Sequence, residues 1–341
     1  MADVLEYRPR EWPGDVGPAP GWSSGAPAIV TTGLVRRFGT VTAVDGIDLA
    51  IGRGEIYGFL GPNGAGKSTV LRMLCTLLRP SAGRAVVAGH DVVAEPQEVR
   101  LRIGAALQEA ALDDRQTGRE LLALQGRLYG LGPGQVRRRV TEVLDLVDIG
   151  AAVDRRIGTY SGGMKRRVDL AAALVHNPEI LFLDEPTTGL DPSSRADVWT
   201  EVRRLNAEQG MTIFLTTQYL EEADALAGRV GILSGGRLVA EGPPAALKRS
   251  LGLDTIVVEA EGEDPDALES LRRLPAVADV RADDGTIVIA TADGSAALNS
   301  VAVRLSASGL AVRSIVVRTP TLDDVFRELT GSTLERDGAR P

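Results

Sequence analysis

Gly61-Pro62-Asn63-Gly64-Ala65-Gly66-Lys67-Ser68 has the spacing of a phosphate-binding loop, G-x-x-x-x-G-K-S. Glycines let successive backbone N–H groups turn onto a phosphate, and a helix N-terminus behind them adds a favourable dipole. Lys67 would place a point charge between β- and γ-phosphate, and the Ser68 hydroxyl is a hard oxygen ligand for Mg²⁺. Further along, the apolar run Ile180-Leu181-Phe182-Leu183 ends in Asp184-Glu185. Such a run reads as a doubly buried strand whose carboxyl end is where parallel sheets bind ligands. There Asp184 is placed to hold Mg²⁺, directly or through water, and Glu185 to polarise an attacking water as general base. A third group, Tyr160-Ser161-Gly162-Gly163-Met164, opens a helical stretch. The Ser161 hydroxyl and the Gly162 and Gly163 N–H groups make a second anion site at a helix N-terminus. One nucleotide does not need two such sites from one chain.

Elements must hold these groups. Short strand patterns at about 30–38, 44–51 and 55–60 precede the glycine loop, and a helix from Lys67 to about Leu78 should follow it, stopped by Pro80. Residues 111–154 carry helical periodicity without strand pattern, and strands return at 180–183, 212–217 and 230–233. After Ser250 the order is strand (255–260), helix (265–274), strand (278–282), strand (286–291), helix (296–308) and strand (311–318), with Asp284-Gly285 as a hairpin turn. That βαββαβ order is the ferredoxin-like split arrangement. A final helix should be capped by Thr321 with Asp324, one face carrying Leu322, Val325, Phe326 and Leu329.

Composition bounds the class. At 341 residues, with 44% apolar and 25% charged, the chain has material for two folded units. A formal charge of -8 argues against nucleic acid as a partner. Residues 251–331 hold fourteen acidic residues against seven arginines, most of that excess. The one cysteine, Cys75, has no disulfide partner within the chain, which suits a cytoplasmic setting. The longest uncharged stretch, 17–35, is broken by Pro, Gly and Ser, and the N-terminal residues do not form a signal peptide. His90 and His176 sit near no second metal ligand and read as structural or solvent-facing. The basic runs 137–139, 155–156 and 165–167 read as a solvated face, or as a contact for a membrane partner.

In their order along the chain, the phosphate loop, the Ser-Gly-Gly signature, the strand ending Asp184-Glu185 and the segment Pro186-Thr187-Thr188-Gly189-Leu190-Asp191-Pro192 resemble an ATP-binding cassette (ABC) ATPase. The resemblance implies a head-to-tail homodimer in which the Ser161-Gly162-Gly163 signature of one subunit closes over ATP held by the other's loop. It implies that ATP lies on Gly61, Pro62, Asn63, Gly64, Ala65, Gly66, Lys67, Ser68 and Thr69, with Phe38 stacked on adenine unless Phe38 is a core residue. It further implies Gln108 at Mg²⁺ and the attacking water, and Asp191 crossing the dimer to the partner's loop. Where the family usually has a histidine facing the γ-phosphate, this chain has Gln218, in Thr216-Thr217-Gln218-Tyr219-Leu220-Glu221-Glu222-Ala223-Asp224. That wording, with the signature Tyr160 to Arg167 and the terminal segment Pro320 to Phe326, resembles the daunorubicin/doxorubicin-resistance ATP-binding subunits of actinobacteria.

The expected fold is thus an α/β phosphate-loop ABC ATPase domain, a parallel-sheet core with a helical insertion, followed by a small ferredoxin-like α+β domain. The expected divisions are a disordered tail (1–27), the nucleotide-binding domain (28–250, helical subdomain about 109–160), an acidic regulatory or dimerisation domain (251–331) and a short disordered tail (332–341). The resemblance implies an exporter ATPase using ATP and Mg²⁺, peripheral at the cytoplasmic face of the membrane, with a separately encoded permease in two copies. A non-transport ABC ATPase and a slow nucleotide-gated regulatory module are the alternative readings.

Overall fold

The computed structural model describes residues 26–107, 112–147, 149–261, 264–283 and 285–331. A stretch rich in Val, Ile and Thr opens it as the hairpin β1 (Ile29–Phe38) and β2 (Val41–Ile51), because branched side chains suit a pleated, half-buried surface. β3 (Ile56–Leu60) is buried at every position and feeds the glycine loop and α1 (Lys67–Leu74). β4 (Ala82–Val87) and β5 (His90–Asp91) return to the hairpin, giving an antiparallel sheet of order β2-β1-β4-β5. α2 (Pro96–Arg102) then leads to β6 (Ile103–Ala106).

The helical insertion consists of α3 (Gly118–Leu128), α4 (Pro133–Leu146) and two 3₁₀ turns, Gly150–Asp154 and Ile157–Thr159. α5 (Gly162–Leu174) leaves it for β7 (Ile180–Asp184), α6 (Pro192–Gln209), β8 (Thr212–Thr217), α7 (Leu220–Leu226), β9 (Arg229–Ser234) and β10 (Arg237–Gly242). The second sheet has the order β10-β9-β3-β8-β7-β6, parallel except for the β9–β10 hairpin. β3, β7 and β8 are buried throughout, as strands covered on both faces must be. Their loops leave from one edge, so the glycine loop after β3, Glu185 after β7 and Gln218 after β8 come together.

The described chain divides into two compact units between Pro244 and Ala245, a few residues before the division expected from sequence. α8 (Pro244–Ser250) starts at that point. The second unit is β11 (Asp254–Glu261), α9 (Pro265–Arg272), β12 (Val277–Asp283), β13 (Thr286–Thr291), α10 (Gly294–Ser306), β14 (Ala311–Arg318) and α11 (Leu322–Thr330). Its antiparallel sheet, β12-β13-β11-β14, is the ferredoxin-like order, closed over a core of Ile256, Val258, Leu271, Ile289, Val301 and Leu305. The Thr321–Asp324 capping box forms at α11, and Leu322, Val325 and Phe326 are buried, while Leu329 is exposed near the helix end.

One expectation is corrected. α1 ends at Leu74, not Leu78: Thr76 adopts φ 62°, its N–H bonds Met73 O, and Leu77 N–H reaches back to Arg72 O. That Schellman closure stops the helix before Pro80 can act. The strands β4, β5, β6 and β10 were not read from the sequence, and their pairing is what makes them strands. Of the terminal tails expected to be disordered, all but residues 26 and 27 lie outside the described residues, and so does Asp284 of the expected hairpin turn.

Phe214 sits at the centre of the parallel sheet, fully buried, with the rings of Tyr57, Phe59 and Phe182 at 5.8, 5.5 and 5.7 Å. Phe214→Ala is expected to lower stability by about 3–5 kcal/mol through lost transfer energy and the cavity left behind. Urea unfolding of the full chain followed by tryptophan fluorescence measures it; a loss below about 1 kcal/mol would contradict the packing described.

Candidate functional site

The glycine loop is shaped by close approach. Gly66 has φ 107°, and a Cβ there would lie 2.4 Å from Ala43 O, so only glycine fits. Ala65 O accepts from Gly236 N–H (3.1 Å), which ties the loop to the β9–β10 turn. No side chain caps the N-terminus of α1, so its first N–H groups face the loop. Lys67, only 4% exposed, turns back under the loop and donates to Gly61 O (2.7 Å) and Pro62 O (3.3 Å). Its Nζ is 3.3 Å from Glu185 Oε1. Burial lowers the Lys67 ammonium from its usual range, against the pull of Glu185 and Asp184.

The end of β7 meets α1 directly. Ser68 Oγ donates to Asp184 Oδ1 at 3.0 Å, and Thr216 Oγ1, from the neighbouring β8, donates to the same oxygen at 2.6 Å. Glu185 follows with φ 48°, a left-handed conformation that a glutamate rarely adopts. Its N–H is held by Thr216 O (3.0 Å) and Thr216 Oγ1 (3.1 Å), and its Oε2 accepts from Thr188 Oγ1 (3.3 Å). The structure therefore joins Lys67, Ser68, Asp184 and Glu185 in one contiguous cluster, with Thr69 half-buried one residue beyond Ser68.

Other residues singled out from sequence stand around that cluster. Ser161 is the N-cap of α5 and accepts from Met164 N–H (3.3 Å); Ser161 and Gly162 are exposed and Gly163 half-buried beside Ser194 of α6. Asp191 caps α6, accepting from Ser193 N–H, Ser194 N–H and Ser194 Oγ. Those bonds, Ser194 Oγ foremost, hold its carboxyl below the usual range. Gln218 is half-buried immediately after β8. Phe38 is no core residue: it is 46% exposed at the end of β1, with the Arg36 guanidinium 4.5 Å over its ring. Gln108 lies outside the described residues.

Four residues were missed. Thr216 left only a weak signal, a hydroxyl at the end of an otherwise apolar strand. Glu222, on α7, is fully buried; its Oε1 accepts from Thr187 Oγ1 (2.9 Å) and Trp199 Nε1 (3.0 Å), and burial raises its carboxyl. Arg166 was read as part of a solvated basic run, yet its guanidinium turns inward onto main-chain carbonyls. Arg139, from another such run, likewise binds the carbonyls of Leu174 and Val175. His176 is structural: it stacks on Tyr129 with centroids 3.6 Å apart and its Nε2 pairs with Ile103 O at 2.8 Å.

A parallel sheet with a glycine loop and a lysine after one strand, and paired carboxylates after its near neighbour, defines a phosphate-loop nucleotide-binding ATPase. Residues 44–188 match the family described as ABC transporter, and residues 242–330 match the C-terminal domain of ATP-binding proteins like DrrA1-3. The chain is 47% identical to the daunorubicin resistance ATP-binding protein DrrA2 of Streptomyces coeruleorubidus, over 92% of this chain and 98% of that one. It is 40% identical to the Nod factor export ATP-binding protein I of a Rhizobium species, over 91% and 99%. The dimeric ATP-binding cassette MJ0796, in a post-hydrolysis state with ADP and phosphate, superposes with a TM-score of 0.58 at 25% identity, covering 63% of this chain and 98% of that one. The chain belongs to the ABC transporter ATP-binding family, in its daunorubicin/doxorubicin-resistance branch. Among the described residues no helix is long and apolar enough to cross a membrane.

Thr216 gives this geometry a direct check. Thr216→Val keeps the shape but removes a donor to buried Asp184 and an acceptor for Glu185 N–H, so stability should fall by about 1–3 kcal/mol and ATP turnover with it. Thermal unfolding and a phosphate-release assay read the two effects; a variant equal to the parent in both would remove Thr216 from the site.

Proposed function

We propose that the chain hydrolyses ATP on the Gly61–Thr69 loop to energise export of a hydrophobic or amphipathic compound, an antibiotic, drug or lipid-like molecule, through a separate membrane permease. The observation that carries the ATPase reading is the Lys67, Ser68, Asp184 and Glu185 cluster, a buried cation and two carboxylates at the mouth of a phosphate loop. The cargo class follows from relatives named for daunorubicin resistance and for Nod factor export. The chain works as a peripheral subunit at the cytoplasmic face of the membrane, with two permease copies.

Phosphate oxygens replace Gly61 O and Pro62 O as acceptors for Lys67, while the loop N–H groups and the N-terminus of α1 take the remaining charge. Phe38 stacks on adenine. The donor set fits Mg²⁺: Ser68 Oγ and Asp184 Oδ1 are hard oxygens 3.0 Å apart, and the described residues add no third carboxylate or imidazole, as suits an ion that takes other ligands from phosphate and water. Gln108 completes that set. When bound, Mg²⁺ neutralises charge on the phosphates. Glu185 accepts a proton as the water oxygen bonds the γ-phosphorus and the bond to the β-phosphate oxygen breaks. Ser161, Gly162 and Gly163, presented outward from α5, close on the nucleotide of a second subunit in a head-to-tail homodimer, and Asp191 faces that subunit's loop. The acidic unit 245–331 holds none of these residues and serves regulation or dimerisation.

The roles of Lys67 and Glu185 separate experimentally. Lys67→Ala removes the cation facing two phosphates and should cost at least about tenfold in ATP affinity, whereas Glu185→Gln should keep affinity and abolish single-turnover hydrolysis. With ATP and Mg²⁺, light scattering of the Glu185→Gln chain should report a dimer that EDTA dissolves. Near-parental turnover by Glu185→Gln would end its role as base.

Gln218 bears on rate. Its amide donates to the γ-phosphate but cannot become cationic, and neutral hydrogen bonds are about half as strong as charge-assisted ones. Gln218→Ala should slow the chemical step more than it weakens binding. Gln218→His should match or exceed the parent and add a pH dependence near the imidazole pKa of about 6.5. Single-turnover hydrolysis from about pH 6 to 8.5 compares the three; an unchanged rate for Gln218→Ala would make this residue a spectator.

A further inference from the structure

Three consecutive basic residues lie in the first two turns of α5, and they behave differently. Lys165 pairs with Asp114 and Arg167 with Asp197 at the surface. The Arg166 side chain is 13% exposed. Its Nε donates to Pro186 O (3.0 Å), Nη1 to Leu107 O (3.0 Å) and Asp169 Oδ2 (3.2 Å), and Nη2 to Asp184 O (3.3 Å) and Ala106 O (3.5 Å). A guanidinium has five N–H donors in a planar fork, so every donor has an acceptor. Four of the five are main-chain carbonyls.

Those carbonyls mark where the sheet ends. The β6–β7 register closes at Ala106 opposite Leu183. Beyond it the β6–β7 pairing stops, with Leu107 following β6 and Glu185 and Pro186 following β7. Arg166 spans that end of the pairing, bonding the last residue of β6, the residue after it, the last residue of β7 and the loop after it. It sits in the same short run of α5 that begins with Ser161 and Gly162, less than two turns away. The helix between them is unbroken.

We propose that Arg166 is a positioning residue that couples the two ends of the reaction: the signature offered to a second subunit's nucleotide, and the strand ends that carry Asp184 and Glu185 at the subunit's own nucleotide. The inference rests on the ATPase reading above. Closure of Ser161 on the partner's nucleotide displaces α5, and the fork of Arg166 carries that displacement to Leu107, Asp184 and Pro186 together. A lysine could not do this, because an ammonium on a flexible stem has three donors and no planar fork with which to bridge four carbonyls. Asp169, three residues on, orients the fork; burial pushes its carboxyl up to about 6 against the pull of Arg166. Removing the arginine alone would leave that carboxylate buried and unpaired.

The test therefore uses the charge-neutral double variant Arg166→Met/Asp169→Leu beside Arg166→Lys, in the full chain. Steady-state ATP hydrolysis gives kcat and KM, and circular dichroism with thermal unfolding gives the folded fraction. The expected result is a fall in kcat per folded molecule of about tenfold, and at least about threefold, in both variants, with KM within about threefold. A folded double variant, or a folded Arg166→Lys, with a smaller fall in kcat overturns the inference, since a group needed only for stability affects the folded fraction alone. So does a fall in kcat matched by an equal rise in KM, which would place Arg166 in nucleotide binding. A parent chain that hydrolyses no ATP would overturn the ATPase reading and this inference with it, whereas a working parent matched by its variants removes Arg166 alone.

Discussion

One ammonium ion, that of Lys67, is held out of water beside the Glu185 carboxylate, and the surrounding architecture is what makes that tolerable. Burying an ion pair costs several kcal/mol per ion, returned only when further hydrogen bonds complete the shell. Gly61 O and Pro62 O supply them, which requires a loop tight enough to aim two successive carbonyls at a side chain six residues later. That tightness in turn requires a residue without Cβ at Gly66. The same geometry suits the proposed chemistry: a cation already held dry would need no new desolvation to exchange carbonyl oxygens for phosphate oxygens.

The carboxylate side shows a parallel logic. Glu185 in a left-handed conformation costs about 1–3 kcal/mol, and such strain persists only where neighbours over-determine it. Two bonds from its N–H to Thr216, and the Thr216 hydroxyl on Asp184, do that. A second buried hub, Glu222 with Thr187 and Trp199, fastens the loop after β7 to α6 and α7. Exposed pairs in the C-terminal unit, such as Arg281–Asp279 and Arg273–Glu269, contribute little, because water screens them. That unit stands on its apolar core, whereas the nucleotide face of the first unit stands on buried polar bonds.

Much of this was legible beforehand because the legible parts are local. The loop, the apolar strand ending in Asp184-Glu185 and the helix cap at Ser161 each depend on residues within a few positions of one another. The β13 and β14 strands of the C-terminal unit match their expected bounds, since each is a short Val- and Ile-rich run bounded by turn residues such as Gly285, Gly309 and Pro320. The end of α1 was misjudged, because Pro80 was an evident stop and the Schellman turn at Thr76 was not.

Residue type and spacing alone marked a phosphate-loop pattern, placed the Asp184-Glu185 pair at the end of an apolar strand, and set an α/β cassette before a βαββαβ unit. These follow from short-range rules of backbone freedom, hydrophobic period and charge. Tertiary structure alone decided which polar residues were buried together. Thr216 is 32 positions from Asp184, and Arg166 is 60 from Ala106. Nothing in an Lys-Arg-Arg run shows which member turns inward, because that depends on carbonyls left unpaired where the pairing of two distant strands stops.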